Sequence, residues 1–215
     1  MSAAKLDAKQ EILQRIHKAA GGTGDCAAGY AAIPREYRRE GSMAPEARIE
    51  LFTARIYDYG ASVYRCTPPQ IADAVAQALT QRRRTAIVVS HGVPASWLPE
   101  GFEFVEDNAL TYAALDQSNG VLTGCEAAVA FTGTIILRHG PGQPRRAVTL
   151  VPDYHLCVVK AQQIVETLPE AIRRVEEFRT APLTTISGPS ATSDIEMTRV
   201  KGVHGPRTLD VVLVL

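Results

Sequence analysis

Hydroxyl, glycine and basic residues crowd more densely into the stretch from Ser187 to Arg207 than anywhere else in the chain. Ser187, Ser190, Thr192 and Ser193 supply hydroxyls, Gly188-Pro189 and the run from Gly202 to Pro206 supply turns, and Lys201, His204 and Arg207 supply positive or titratable groups. Glycine reaches positive φ and proline fixes φ while removing a donor, so the chain must turn at both ends of this stretch. Ser193 stands three residues before Glu196, the spacing of a capping box, and predicts a short helix over Thr192 to Val200. Free amides at its start, together with the hydroxyls, would form a concavity suited to a phosphate or carboxylate. Gly188, Ser190, Thr192, Ser193, His204 and Arg207 are the residues expected to touch that anion, with Arg207 or Lys201 as countercharge. The same residues would equally build a tight crossover with a capped helix and no ligand.

A second group consists of Glu126 and the turn Thr132-Gly133-Thr134, which would bring a carboxylate and two hydroxyls beside the first. A lone glutamate in a strand is more often structural than catalytic, so Glu126 is a candidate base or nucleophile only in combination with that loop. The phosphate-loop pattern, the dinucleotide Gly-x-Gly-x-x-Gly and the Gly-x-Ser-x-Gly elbow are all absent, which removes the standard nucleotide and hydrolase readings. His91, His139 and His204 each precede a glycine but lack ligand spacing, so no metal is expected. Cys26, Cys66, Cys125 and Cys157 are scattered without a Cys-x-x-Cys pair, which argues against an iron–sulfur cluster held by this chain alone. No cofactor is expected.

Those residues must be positioned by regular elements. Leu6 to Ala20 is amphipathic at helical spacing, Gly21 to Gly41 reads as an irregular connection, and Pro45 to Tyr59 is helical up to Gly60. From Ala61 the pattern alternates: strand Ala61 to Cys66, helix from Thr67-Pro68-Pro69 to about Arg82, strand Thr85 to Ser90, strand Phe102 to Glu106. Short apolar runs follow at Val121 to Thr123, Ala127 to Ala130 and Thr134 to Leu137, then strands Ala147 to Val151 and His155 to Val159. Ala161 to Leu168 and Pro169 to Arg179 read as helices, and Leu183 to Ile186 and Leu209 to Leu215 as buried strands. Alternation of this kind gives an α/β fold, a mainly parallel sheet flanked by helices. The expected organisation is an N-terminal helix with its connection over residues 1–44 and one α/β domain over residues 45–215.

Ser-Gly-Pro-Ser-Ala-Thr-Ser-Asp-Ile-Glu from Ser187, followed by Gly-Val-His-Gly-Pro-Arg from Gly202, resembles the C-terminal signature of the lactate utilisation protein C family, the single-domain members of the LUD group. The segment from Gly124 to Leu137 resembles that family's Ala-x-Thr-Gly-Thr block. The likeness runs from about Pro45 to Leu215. One position departs from it: Phe131 stands where the family often carries an acid. The resemblance implies a fold similar to the ribose-phosphate isomerase, glucosamine-phosphate deaminase and CoA-transferase group. It also implies a part in oxidising L-lactate to pyruvate alongside iron–sulfur oxidoreductase subunits, with this chain binding a small anionic metabolite. The alternative it leaves open is a self-sufficient isomerase- or transferase-like enzyme acting on a phosphorylated or CoA-linked metabolite.

Composition bounds these readings. Of 215 residues 46% are hydrophobic, enough for a full core, and 23 basic residues balance 23 acidic ones. A neutral chain offers no basic surplus for nucleic acid or a membrane surface. No apolar stretch approaches the roughly 18 residues of a membrane span and Met1 to Ala20 is not signal-like, so a cytoplasmic protein is expected. If the two-part organisation holds, limited proteolysis cuts first between Gly21 and Gly41; early cleavage within Ala61 to Ser90 would show the core to be misplaced.

Overall fold

The computed structural model describes residues 7–20, 26–178, 180–193, 199–201 and 204–215. The chain divides into two units, Met1–Tyr37 and Arg38–Leu215. The first contains α1 (Ala8–Ala19) and α2 (Cys26–Ala31), a short helix where the sequence suggested irregular chain. Arg35 organises its end by donating to the carbonyls of Ile33 and Tyr30 and lying 4.4 Å above the Tyr30 ring.

The second unit begins with α3 (Pro45–Asp58), which has proline in its first turn, where an amide would go unpaired anyway. Next come β1 (Ser62–Cys66), α4 (Ile71–Arg82), β2 (Ala86–Val89), β3 (Glu103–Glu106), α5 (Tyr112–Gln117) and β4 (Val121–Thr123). The β-rich middle supplies β5 (Ala127–Val129), β6 (Thr134–Arg138), β7 (Tyr154–Lys160) and β8 (Ile164–Val165). The chain ends with α6 (Leu168–Arg174), β9 (Leu183–Ile186), β10 (Ala191–Ser193), β11 (Arg199–Lys201) and β12 (Thr208–Val214).

Six strands form one sheet in the order β1-β12-β7-β4-β2-β3, every neighbouring pair parallel. This is the α/β fold expected from the alternation. The Val- and Leu-rich run of β12 is buried because it lies between β1 and β7 with both faces covered. On one face Leu156, Val158, Val212 and Val214 pack against Val75 and Leu79 of α4. On the other, Cys157, Val159, Val211 and Leu213 meet Phe52 and Ile56 of α3 and Ala128, Ile135 and Leu137 of a second sheet. That sheet has the order β8-β5-β6-β9 and is backed by Ala171 of α6 and by Val175 just after it.

Three local expectations are corrected. Thr192 to Val200 does not start as a helix: Ala191 to Ser193 pairs antiparallel with Arg199 to Lys201. The capping-box glutamate, Glu196, lies outside the described residues. Ala147 to Val151 is a 3₁₀ turn over Arg146–Thr149 that buries Val148 and Thr149 rather than a strand. Ala161 to Leu168 is a 3₁₀ turn followed by β8, because Gln163 reaches back to accept from the Lys160 amide and donate to the Cys125 carbonyl. Among the described residues no helix is long and apolar enough to cross a membrane.

Two buried carboxylates pin the architecture. Asp210 of β12 has no exposed surface and accepts from Arg82 Nε at 2.8 Å and Nη2 at 2.7 Å, the Ser62 amide at 3.1 Å and the Tyr154 hydroxyl at 3.1 Å. One side chain thus ties α4, β1, β7 and β12. Burial, then the charge of Asp210, pushes the Tyr154 phenol far above its usual pKa. Glu166 accepts from the Ser42 and Met43 amides at 2.6 and 2.7 Å and pairs with Arg38, fixing the approach to α3. Removing one partner of a buried pair strands a charge, so Arg82→Met should cost about 3 kcal/mol or more in urea unfolding. A loss under about 1 kcal/mol would show that Asp210 is solvated well enough to stand alone.

Candidate functional site

The stretch that first drew attention builds one wall of a cleft. β9 delivers Ser187 and Gly188 past the end of α3, where Gly188 sits at φ +81° and a Cβ would lie 2.7 Å from Tyr59 Cγ. Only glycine fits without strain at that φ. The loop then meets the segment leading into β12: the Ser190 amide donates to the Pro206 carbonyl at 2.7 Å, and the His204 amide donates to Ser190 Oγ at 3.1 Å. Between these loops lies a cleft of ≈ 260 Å³, floored by His155 and Leu209 and bordered by Arg146 and Thr149. It stands at the amino-terminal ends of β7 and β12, since His155 and Leu209 are the second residues of those strands.

The two sequence blocks touch, but not across the cleft. Thr132 Oγ1 and Thr134 Oγ1 lie 2.7 Å apart and Thr134 Oγ1 and Ser187 Oγ 2.8 Å apart, a chain of hydroxyls that spends itself internally. The turn is held on α3, where Tyr59 donates to the Thr132 carbonyl at 2.9 Å and Arg55 to the Phe131 carbonyl at 3.2 Å. Gly133, at φ +62°, passes so close to α3 that a Cβ would lie 2.7 Å from that of Arg55. Phe131, at the position where an acid was expected, is exposed.

Other candidates stand elsewhere. Glu126 precedes β5, at the opposite end of that strand from Thr132, and is bound by Arg138 Nε at 2.6 Å and Gln143 Nε2 at 2.9 Å. To act as a base it would first have to leave that ion pair. Arg207 is exposed and directed to Asp153 at 2.5 Å rather than into the cleft, whereas Arg146 borders it. His204 and Ser190 line the cleft; Thr192 and Ser193 belong to β10, and their side chains lie outside the description.

Sequence reasoning missed His155 and what lies behind it. His155 is buried, its Nε2 is 2.8 Å from Thr123 Oγ1, and that hydroxyl donates to Cys157 Sγ at 3.6 Å. Burial raises the Cys157 thiol, but hydrogen bonds from Cys125, His155 and Thr123 outweigh it and make Cys157 the more acidic of two touching thiols. Contact with Cys157 and burial push Cys125 the other way. His155 and Cys157 two residues apart in an apolar strand were the available signal, because residues at that spacing share one face of a sheet.

Comparison with known proteins bears on the whole unit. The LUD domain family profile matches residues 95–214, a span that includes both sequence blocks, Arg146 and His155. A Deinococcus radiodurans protein called lactate utilization protein C is 43% identical over 97% of this chain and 96% of its own length. This chain belongs to the LUD domain family. A lactate utilization protein C of Halalkalibacterium halodurans is 32% identical over 42% of each chain. Among solved structures, that of a DUF162 family protein from Deinococcus radiodurans superposes with a TM-score of 0.71 at 39% identity, covering 81% of this chain and all of that one. In this LUD domain Gly188 should be irreplaceable in shape: Gly188→Ala should lower the unfolding free energy by about 1 kcal/mol or more, with a matching fall in the unfolding midpoint, and displace Tyr59. An unchanged midpoint and unchanged Tyr59 resonances would contradict the packing described.

Proposed function

We propose that this LUD domain serves L-lactate utilisation by binding a small carboxylate, such as L-lactate or pyruvate, in the cleft between the Ser187–Ser190 and His204–Pro206 loops. The name of its 43%-identical relative supports the process. The observation that carries the site is the combination of a cation, two loops cross-linked through the Ser190 hydroxyl, and a buried imidazole around one cleft of ≈ 260 Å³, a volume that suits a few-atom acid. Arg146 is the countercharge in this reading. One N–H of its guanidinium is used on the Thr149 carbonyl at 3.0 Å, which holds the group in place and leaves other donors for a carboxylate. Ser190 and His204 would complete the contacts, with Thr132, Gly133 and Thr134 bracing the loop through Ser187.

Iron–sulfur oxidoreductase subunits would carry the electrons in this reading. The cysteines of this chain lack cluster spacing, and Cys66, Cys125 and Cys157 are buried free thiols. The domain would hold or present the acid, and the location would be the cytoplasm, where lactate and such partners meet.

A direct charge-assisted hydrogen bond is worth about 1.5 to 3 kcal/mol, so Arg146→Ala should weaken L-lactate or pyruvate binding by roughly 10- to 150-fold in calorimetric titration. Arg207→Ala should leave it within about two-fold, since its guanidinium is taken by Asp153 outside the cleft. Equal loss in both variants, or none in either, would remove the proposed contact. Clean deletion of the gene should abolish growth on L-lactate, and normal growth would overturn the assignment to that process.

A further inference from the structure

Open α/β sheets place ligands at the carboxyl ends of their strands, where connections leave adjacent strands in opposite directions. The cleft described above stands at the amino ends. In this sheet the chain leaves β2 toward β3 on one side, while β4, the neighbour of β2 on the other side, leads on toward β7. A cavity of ≈ 180 Å³ lies across that divide: Pro94 and Trp97 follow β2, Gly124 and Cys125 follow β4, and Lys160 ends β7.

The polar groups around this cavity are spent on one another, with one exception. Gln143 Oε1 accepts from the Arg138 amide at 2.8 Å, and its Nε2 donates to Glu126 at 2.9 Å. Gln163 Oε1 accepts from the Lys160 amide at 2.8 Å and from the Cys125 thiol at 3.4 Å, while its Nε2 donates to the Cys125 carbonyl at 2.6 Å. The Gly124 amide is taken by the Gly142 carbonyl at 2.9 Å and the Gly142 amide by the His91 carbonyl at 2.6 Å. The exception is Lys160. It is exposed, forms no ion pair among the described residues, and holds its ammonium 5.8 Å from the centre of the half-buried Trp97 ring. That leaves one point charge beside an apolar surface made by Pro94, Trp97 and Pro141. A larger cavity, ≈ 310 Å³, borders the same Trp97 and Lys160 and is walled by the apolar side chains of Pro68, Ile71, Val214 and Leu215.

We propose that these two cavities form one binding site for a monocarboxylate with a hydrocarbon tail and no hydroxyl next to the carboxylate. Its carboxylate pairs with Lys160 Nζ, and its tail lies along Trp97 into the larger cavity. A single ammonium with no arginine among the lining residues suits one negative charge rather than a phosphate dianion. No unspent side-chain amide or hydroxyl remains in the smaller cavity to read a hydroxy acid, and a hydroxyl desolvated there without a partner is penalised. The site is separate from the cleft at Ser190 and His204, and neither assignment depends on the other.

Trp97 is the only tryptophan of the chain, so its fluorescence in the intact protein reads this site directly. Hexanoate is the probe, with 1-hexanol as the uncharged control and L-lactate as the hydroxy acid. Hexanoate should change the emission saturably, and each methylene removed from it should weaken binding by about three-fold. 1-Hexanol and L-lactate should each bind roughly ten-fold more weakly or worse. Lys160→Gln should weaken hexanoate by a similar factor, and Lys160→Arg, which keeps the charge, should recover most of the loss. No saturable change would overturn the proposal. So would a response to 1-hexanol equal to that of hexanoate, which would mark an apolar cavity without a use for Lys160, or unchanged affinity in Lys160→Gln. An equal response to L-lactate, or displacement of hexanoate by L-lactate at matching concentration, would overturn it as well. L-lactate bound at Ser190 with no hexanoate at Trp97 would sink this site and leave the first one standing.

Discussion

The insertion of β12 between β1 and β7 is the constraint on which the rest of this structure depends. The strand arrives last in the chain, yet it occupies the middle of the sheet and carries the buried run Leu209 to Val214. Asp210 sets its register. A shift of one residue would turn the carboxylate away from Arg82 and Tyr154 toward the second sheet, and would carry the apolar residues to the wrong faces. Because the register is fixed, the segment just before the strand is fixed too, and Pro206 and His204 are presented to Ser190 at the strand's amino end. The cleft is therefore a consequence of how the last strand is seated.

The same geometry explains what the sequence disclosed and what it hid. The parallel sheet was legible because β2, β7 and β12 are apolar runs of strand length separated by helical spacing, and such runs suit strands covered on both faces. The loop chemistry was legible as well, since Gly188-Pro189 and Gly205-Pro206 are turn signals that the structure uses. The Thr192 to Val200 segment was misread because a local capping-box spacing competed with a tertiary demand. Ser190 and Pro206 must lie 2.7 Å apart, and an antiparallel pair, Ala191 with Lys201, returns the chain to that point. Local propensity yields to such closure.

The charged residues were harder to read than the fold. Arg207, within the signature stretch, is directed to Asp153, while Arg146, in an unremarkable basic connection, borders the cleft. Glu126 sits near a family-like block but is bound by Arg138. Which partner a guanidinium or carboxylate finds is decided by elements distant in the chain, so spacing along the sequence carries little of it. Gly133 and Gly188, by contrast, could be read as turn glycines, and each proves to lie where Arg55 or Tyr59, at the end of α3, leaves no room for a side chain.

The central claim is that a LUD domain of this architecture holds a small carboxylate at the amino ends of β7 and β12. A crystal structure grown with pyruvate tests it most directly. The account predicts density for the acid between Arg146 and Ser190, with its carboxylate within hydrogen-bond distance of the guanidinium. Pyruvate bound instead at the carboxyl ends of the strands, with the Ser190–His204 cleft holding only solvent, would contradict it.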